Sequence, residues 1–445
     1  MNTTASIFRI LLLSFVVSFF AWAQDTSKSY TLQDCIAVGR ARNADLLRSR
    51  GERERYGTYK TQAFGQFLPS LSIGAGWTRL DKDRYSYLPS GFVTSRNTYD
   101  YSITSSLTLF DGLSNLSTAD RSILLLQAAE QGLARRDQDV VFLVQQGFYN
   151  ALRLRQLVRV NESNLARSRK QLEHVRELNA VGSVPLADVY RQQVQVGKDE
   201  LALLQAENEY RNALVDLQNQ LGLDPREPFD INPAGIPETI DSLDMVHYRQ
   251  GLSPFDALVR RALSSRPDYR QSMLTLHGAE KGIMISRAGY LPTISAFARY
   301  SWSNILLERF TASDYTDFSY GLRFTWGLLN NLNVSTAVQR SKIDREEAEI
   351  ALAELEREIA AELQKSINTL TLAEKNIDIS TRTLRSALED QRIAQERYTL
   401  GAGTLLDLIV ANTNLTAAQS DVVNATFQYL TARAQVEYQL GLLSD

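Results

Sequence analysis

The chain has one cysteine, three histidines and four methionines in 445 residues. A single Cys35 excludes an intramolecular disulfide and any cysteine-cluster metal site, and it reads as a small buried residue on the first helix. His174, His247 and His277 lie far apart with no paired carboxylate spacing. No phosphate-binding loop or nucleophile elbow accompanies them, so no catalytic, cofactor or metal residue is assigned and an enzyme is not expected. Positive charge is also not in excess. The formal net charge is −3, which gives no field to attract nucleic acid or an anionic membrane surface. Beyond residue 23 no long apolar run occurs, so no helix is expected to span a membrane. A membrane crossing by this chain would have to be made by strands.

What is present begins with a leader. Arg9, an apolar stretch from Ile10 to Phe20 and then Ala21-Trp22-Ala23 fit a cleavable signal peptide over residues 1–23. The remainder is duplicated. Asp45, Ser49 and Leu68-Pro69 lie over Asp268, Ser272 and Leu291-Pro292 at an offset of 223. Arg121-Ser122, Ala129-Glu130, Gly182, Asp188 and Leu221-Gly222-Leu223 lie over Arg340-Ser341, Ala348-Glu349, Gly401, Asp407 and Leu440-Gly441-Leu442 at an offset of 219. Residues 24–223 form the first copy and 255–445 the second, and each reads helix, strand, strand, long helix, turn, helix.

The strands, expected at about 70–80, 99–109, 293–303 and 317–328, alternate with period two. Leu71, Ile73, Ala75 and Trp77 are interleaved with Ser, Gly and Thr; Phe318, Tyr320, Leu322 and Phe324 behave likewise. One apolar face with aromatics near the strand ends is what a lipid-facing barrel wall requires, although a half-buried soluble sheet alternates in the same way. Four strands cannot close a barrel, and lipid tolerates no open edge, so the missing strands must come from other copies. The intervening segments 81–98 and 303–316 are polar and read as loops facing outside.

The helical hairpins are expected at 113–221 and 332–441. Leu113 to Ala180 is proline-free, and Val144, Ala151, Val158, Leu165 and Leu172 recur every seventh residue, as do Leu363, Leu370, Ile377 and Leu384. Leu32–Phe64 and Leu186–Leu221 together match the long helix in length. Half of the ten prolines fall between 224 and 254 and mark a connector outside the helical wall. At the hairpin turn, Gly401 suits a helix C′ position, and Thr404-x-x-Asp407 reads as a capping box with Asp in place of Glu. Asp407 is then either a cap alone or a cap that also faces an axis of symmetry.

The ordered set Phe67-Leu68-Pro69-Ser70, Leu109-Phe110-Asp111-Gly112, Leu221-Gly222-Leu223 and Tyr398-Thr399-Leu400-Gly401 with Asp407 resembles the TolC family of outer membrane efflux proteins over the whole mature chain. The resemblance implies a mainly α fold with membrane β structure: a homotrimer whose four strands per chain close a twelve-stranded barrel continued by an α-helical barrel. It places the strands in outer-membrane lipid and the helices in the periplasm. It further implies a passive exit channel for small molecules, partnered by a periplasmic adaptor and an inner-membrane pump. Asp407, Tyr398 and Asp188 would form the gate, and the turns at Gly182, Ser183, Gly401, Gly403 and Thr404 would meet the adaptor. Gly403 stands where familiar members carry arginine, and Val410 where they carry a second aspartate, so the lock is expected to be weaker or differently built. A type I protein secretion duct uses the same fold, and a non-conducting coiled-coil scaffold or adhesin is the alternative of another class.

Overall fold

The computed structural model describes residues 29–88, 91–237, 239–310 and 313–443. The leader expected over 1–23 lies outside the described residues. In chain order the elements are β1 (Ser29–Tyr30), α1 (Leu32–Arg42), α2 (Ala44–Gly65), β2 (Ser70–Leu88), β3 (Gly91–Phe110), α3 (Ser114–Ala180) and α4 (Leu186–Leu221). Then come β4 (Asp230–Ile231), α5 (Ser242–Gly251), α6 (Phe255–Ser265), α7 (Pro267–Ala288), β5 (Thr293–Asn304), β6 (Thr316–Thr325), α8 (Asn333–Thr399) and α9 (Leu405–Gln439). Duplication is visible in the helix lengths. α1, α2, α3 and α4 have 11, 22, 67 and 36 residues, and α6, α7, α8 and α9 have 11, 22, 67 and 35.

The first helix of each copy is broken where one continuous helix was expected. Asn43 and Arg266, equivalent at the 223 offset, both take an extended conformation, ψ 128° and 125°. In the second copy Pro267 follows, and the residue before proline disfavours helical ψ. In the first copy no proline is present, and Asn43 holds the break by donating to the Gln220 carbonyl at 2.9 Å. Arg266 reaches the same place in its own copy, donating to Gln439 Oε1 at 2.6 Å. Each break seats the left-handed glycine that ends the last helix of its copy. Gly222 and Gly441 both have φ of 70°, and a Cβ on Gly222 would lie 2.6 Å from the Arg42 carbonyl oxygen.

The packing divides into two units. One comprises residues 29–44, 139–252 and 366–438. Its core includes the heptad residues Val144, Ala151, Leu165, Leu370 and Ile377, and Cys35 is fully buried with its thiol pushed up to about 12 by burial. Gly39 lets α1 lie against Val144, Val140 and Leu221. The proline-rich connector is tied down within this unit: β4 pairs in parallel with β1, Arg155 donates to the Ile231 carbonyl at 2.8 Å, and Tyr30 stacks on Phe229. It also contains α5, capped by Asp241 accepting from the Leu243 amide at 3.2 Å.

The second unit comprises residues 45–138, 253–365 and 439–443. It holds a four-stranded antiparallel sheet in the order β2-β3-β5-β6, so β2 and β6 are its edges. Register is regular through the middle of the sheet, with irregularities between Arg79 and Arg84 and between Thr108 and Phe110. Ile73 pairs with Ile103, Ile103 with Tyr300 and Tyr300 with Phe318, a row of four apolar side chains on one face. One residue along, Gly74, Ser102, Ser301 and Asp317 form a small and polar row on the other face, and Ser72, Thr104, Arg299 and Ser319 form another. The alternation is therefore a property of the whole sheet and not of single strands.

Two expectations about the sheet are corrected. Segment 81–98 is not a loop, because β2 runs on to Leu88 and β3 starts at Gly91, with a register irregularity between Arg79 and Arg84. Its polar residues do not oppose strand formation, since a two-stranded ribbon satisfies its backbone by pairing and needs no apolar face in water; Arg96 and Asp83 pair across it at 3.1 Å. At the other end β6 stops at Thr325, short of the expected 328, where the Trp326 indole donates to the Tyr290 carbonyl at 3.1 Å. Segment 303–316 contains two short 3-10 turns, and Phe310 from it covers Trp302, which is 1% exposed and stacks on Tyr101. Trp302 thus packs beneath this segment.

Candidate functional site: the hairpin tip

Two turns reverse the long hairpins, and both lie in the first unit. In the first, Gly182 with φ of 76° ends α3; its amide bonds the Asn179 carbonyl at 2.9 Å and the Ser183 amide bonds Leu178 at 2.8 Å. In the second, Gly401 with φ of 72° ends α8, its amide bonding Tyr398 at 3.1 Å and that of Ala402 bonding Arg397 at 2.8 Å. Both are left-handed terminations that return the last carbonyls to amide donors. The next helices start differently. Pro185 precedes α4 without a side-chain cap, and Asn179 instead ties the turn by donating to the Val184 carbonyl at 2.8 Å.

At α9 the reciprocal capping box is complete. Asp407 Oδ2 accepts from the Thr404 amide at 3.1 Å and from the Thr404 hydroxyl at 2.8 Å, while Thr404 Oγ1 accepts from the Asp407 amide at 3.2 Å. Those bonds from Thr404, with a smaller contribution from the Arg397 charge, hold the Asp407 carboxyl below the usual carboxylate range. Asp407 is nevertheless exposed, as are Gly182, Ser183, Gly401 and Thr404.

Gly403 is half-buried against the preceding helix end. A Cβ there would stand 3.1 Å from Arg397 Cβ, so the position has little room for a side chain. The basic group of this turn comes instead from Arg397, which donates to the Ala402 carbonyl at 3.2 Å. The sequence had not singled out Arg397; its place in the last turn of α8, where a cation complements the helix carbonyls, was the available signal.

Asp188 and Tyr398 are not joined to each other by a hydrogen bond. Asp188 accepts from Arg191 at 2.6 Å, one turn along α4. Tyr398 is 8% exposed and its hydroxyl has no partner among the described residues. Burial first, then the nearby Asp188 charge, push its phenol up. Its ring belongs to an apolar cluster with Val175, Val189, Leu405 and Leu408, flanked by Leu172 and Val184. The tip is therefore an apolar plug inside, with its polar groups presented on the exposed turn. No group of three or more His, Cys, Asp or Glu side chains able to hold a metal occurs among the described residues.

A model of the outer membrane efflux protein family matches residues 37–223 and 258–442, one match per structural copy. Outer membrane protein TolC of Salmonella enteritidis is 22% identical over 432 residues, covering 94% of this chain and 83% of that protein. The pyoverdine export outer membrane protein OpmQ of Pseudomonas aeruginosa is 24% identical over 379 residues, covering 84% and 77%. The crystal structure of the outer membrane protein VceC from Vibrio cholerae superposes with a TM-score of 0.77 at 18% identity, covering 92% of this chain and 96% of that one. The duplicated helices, the two-faced sheet and these matches agree: the chain belongs to the outer membrane efflux protein family, and it is an outer-membrane exit channel for efflux or secretion systems, its helical part lying in the periplasm.

Proposed function

We propose that three copies of the chain build one conduit, passive for small molecules, in which their sheets close a twelve-stranded barrel and their hairpin tips form a resting gate. The observation that supports closure is the sheet itself. Its apolar row, Ile73, Ile103, Tyr300 and Phe318, ends at both sides on strands with unpaired edges. Unpaired backbone groups in hydrocarbon cost several kcal/mol each, a penalty that only neighbouring strands remove. Mass measurement of the detergent-solubilised protein tests this: a trimer is expected, and a stable monomer that keeps its strand content would overturn it.

The gate assigns Asp407, with Tyr398 and Asp188 behind it, to the tip, and the exposed turns at Gly182, Ser183, Gly401, Gly403 and Thr404 to contact with a periplasmic adaptor that links the channel to an inner-membrane pump. Asp407 is both held as a carboxylate by its cap and exposed, the two properties a ring of charge near a symmetry axis needs. Crowded carboxylates attract cations. Single-channel recording is expected to show cation selectivity and block by trivalent cations, both lost in Asp407→Ala; unchanged block would leave Asp407 as a cap alone.

A further inference from the structure

Within the first unit a cavity of about 570 Å³ opens between the connector and the helices α3 and α9. That volume lies in the range of small-molecule sites, roughly 300–1,000 Å³. It is lined by three tyrosines, Tyr149 from α3, Tyr248 from α5 and Tyr429 from α9, and by Asp244, Arg433 and Glu437. The arginine's charge is already engaged. Arg433 bonds Glu437 at 3.0 Å, and its guanidinium lies over the Tyr248 ring, 4.6 Å from the centroid. Asp244, at the exposed rim, has no ion pair among the described residues.

Two polar atoms in the lining want a partner. The Tyr429 side chain is 2% exposed and its hydroxyl has no hydrogen bond; Gln145, another lining residue, has its Oε1 buried with none. Buried polar atoms in native proteins are almost always satisfied, and an orphan beside a cavity marks where a ligand or water completes the structure. Burial, with Glu374, Asp244 and Glu437 adding to it against Arg433, keeps the Tyr429 phenol protonated, so its oxygen is free to accept.

We propose that this cavity is a binding site for a small organic cation: an ammonium group taken by the Tyr429 and Gln145 oxygens and the Asp244 carboxylate, on an aromatic or apolar body laid against the tyrosine rings. The lining carries two carboxylates, Asp244 and Glu437, against the one guanidinium of Arg433, and tyrosine faces attract a cation within about 6 Å of the centroid. An anion of the same shape would meet Asp244 and Glu437, with the one guanidinium beside them already paired to Glu437.

The test uses the full-length trimer in nanodiscs, titrated calorimetrically with phenethylammonium and, as shape-matched controls, 3-phenylpropionate and 2-phenylethanol. The cation is expected to bind at least tenfold more tightly than either control. Tyr429→Phe and Asp244→Asn are each expected to weaken it by about tenfold or more, the size of a lost hydrogen bond to a charged group. Because the hydroxyl is unpartnered, Tyr429→Phe should melt no lower than the parent in the absence of ligand; should it melt lower, Asp244→Asn, at the exposed rim, carries the affinity test. Equal binding of cation and anion, unchanged affinity in both variants, or no binding by any of the three probes would overturn the proposal and leave a water-filled cleft.

Discussion

Replacing Gly222 by alanine separates two costs that a left-handed glycine can conceal. Gly222 and Gly401 have nearly the same φ, 70° and 72°, so alanine pays a similar backbone penalty at both, about 1 kcal/mol. Their surroundings differ. A Cβ on Gly401 meets nothing within 4 Å, whereas on Gly222 it would stand 2.6 Å from the Arg42 carbonyl oxygen and 3.1 Å from its carbon. Backbone cannot rotate aside as a side chain does, so the break at Asn43 must move, and overpacking of this kind adds about 1–3 kcal/mol. Gly222→Ala should therefore cost about 2–4 kcal/mol against about 1 for Gly401→Ala. Circular dichroism melts at 222 nm in one detergent, with Gly401→Asn and Gly222→Asn alongside, provide the comparison. Asparagine tolerates left-handed φ, so it should restore the melt at 401 and not at 222. Equal melts for the two alanine variants, or rescue by asparagine at 222, would refute the contact argument.

Other expected outcomes concern single residues. Leu113 and Leu332, equivalent in the repeat, both have positive φ, 71° and 62°, conformations that strain a branched side chain; Leu332→Gly, at an exposed position, should stabilise by about 1 kcal/mol, measured by denaturant unfolding. Asp268 is mostly buried, which favours its neutral form, but the Arg266 bond and the Arg135 charge outweigh this and hold its carboxyl below the usual range. Its folded-state value being depressed, its contribution is present above the unfolded value near 3.9 and is lost as pH falls through the lower native one; Asp268→Asn should cost about 3 kcal/mol at pH 7, and the gap to the parent should narrow on acidification to pH 3. Thr404→Ala removes a cap and should loosen the start of α9 by about 1 kcal/mol, seen as faster amide exchange at Leu405–Leu408. Epitope tags in segment 303–316 and at the Leu88–Gly91 hairpin end should be reached by antibody on intact cells.

The helices were legible because their signal is local and repeated. Proline-free heptads such as Val144, Ala151 and Leu165 declare both the length and the buried seam of α3. The helix break was half legible: Pro267 announces it in the second copy, and only transfer through the repeat would have placed it at Asn43. The extension of β2 and β3 was missed because Asp81, Lys82 and Asp83 look like a loop when judged by polarity, although pairing resumes beyond them, from Arg84 with Ser95 to Leu88 with Gly91, and sustains a ribbon without burial. Parity puts Trp302 on the apolar face with Tyr300, and parity alone says nothing about Phe310 folding over it. At the tip, Asp407 and Thr404 were readable from their three-residue spacing. The apolar plug of Val175, Val189, Leu405 and Leu408, and the cavity lined by Tyr149, Tyr248 and Tyr429, join residues far apart in the chain, and no local pattern encodes them.

The two edges of the sheet are unlike each other, β2 with Leu71 and Trp77, β6 with Tyr320 and Phe324. Joining copies through them is a head-to-tail contact, and such a contact has two outcomes: a closed ring if each addition turns by a third of a circle, or an endless ribbon if it does not. The edge residues are equally satisfied either way. In the proposed trimer what selects the ring is curvature, so mutations that flatten the sheet, far from either edge, should turn a closed assembly into fibres before they unfold any single chain.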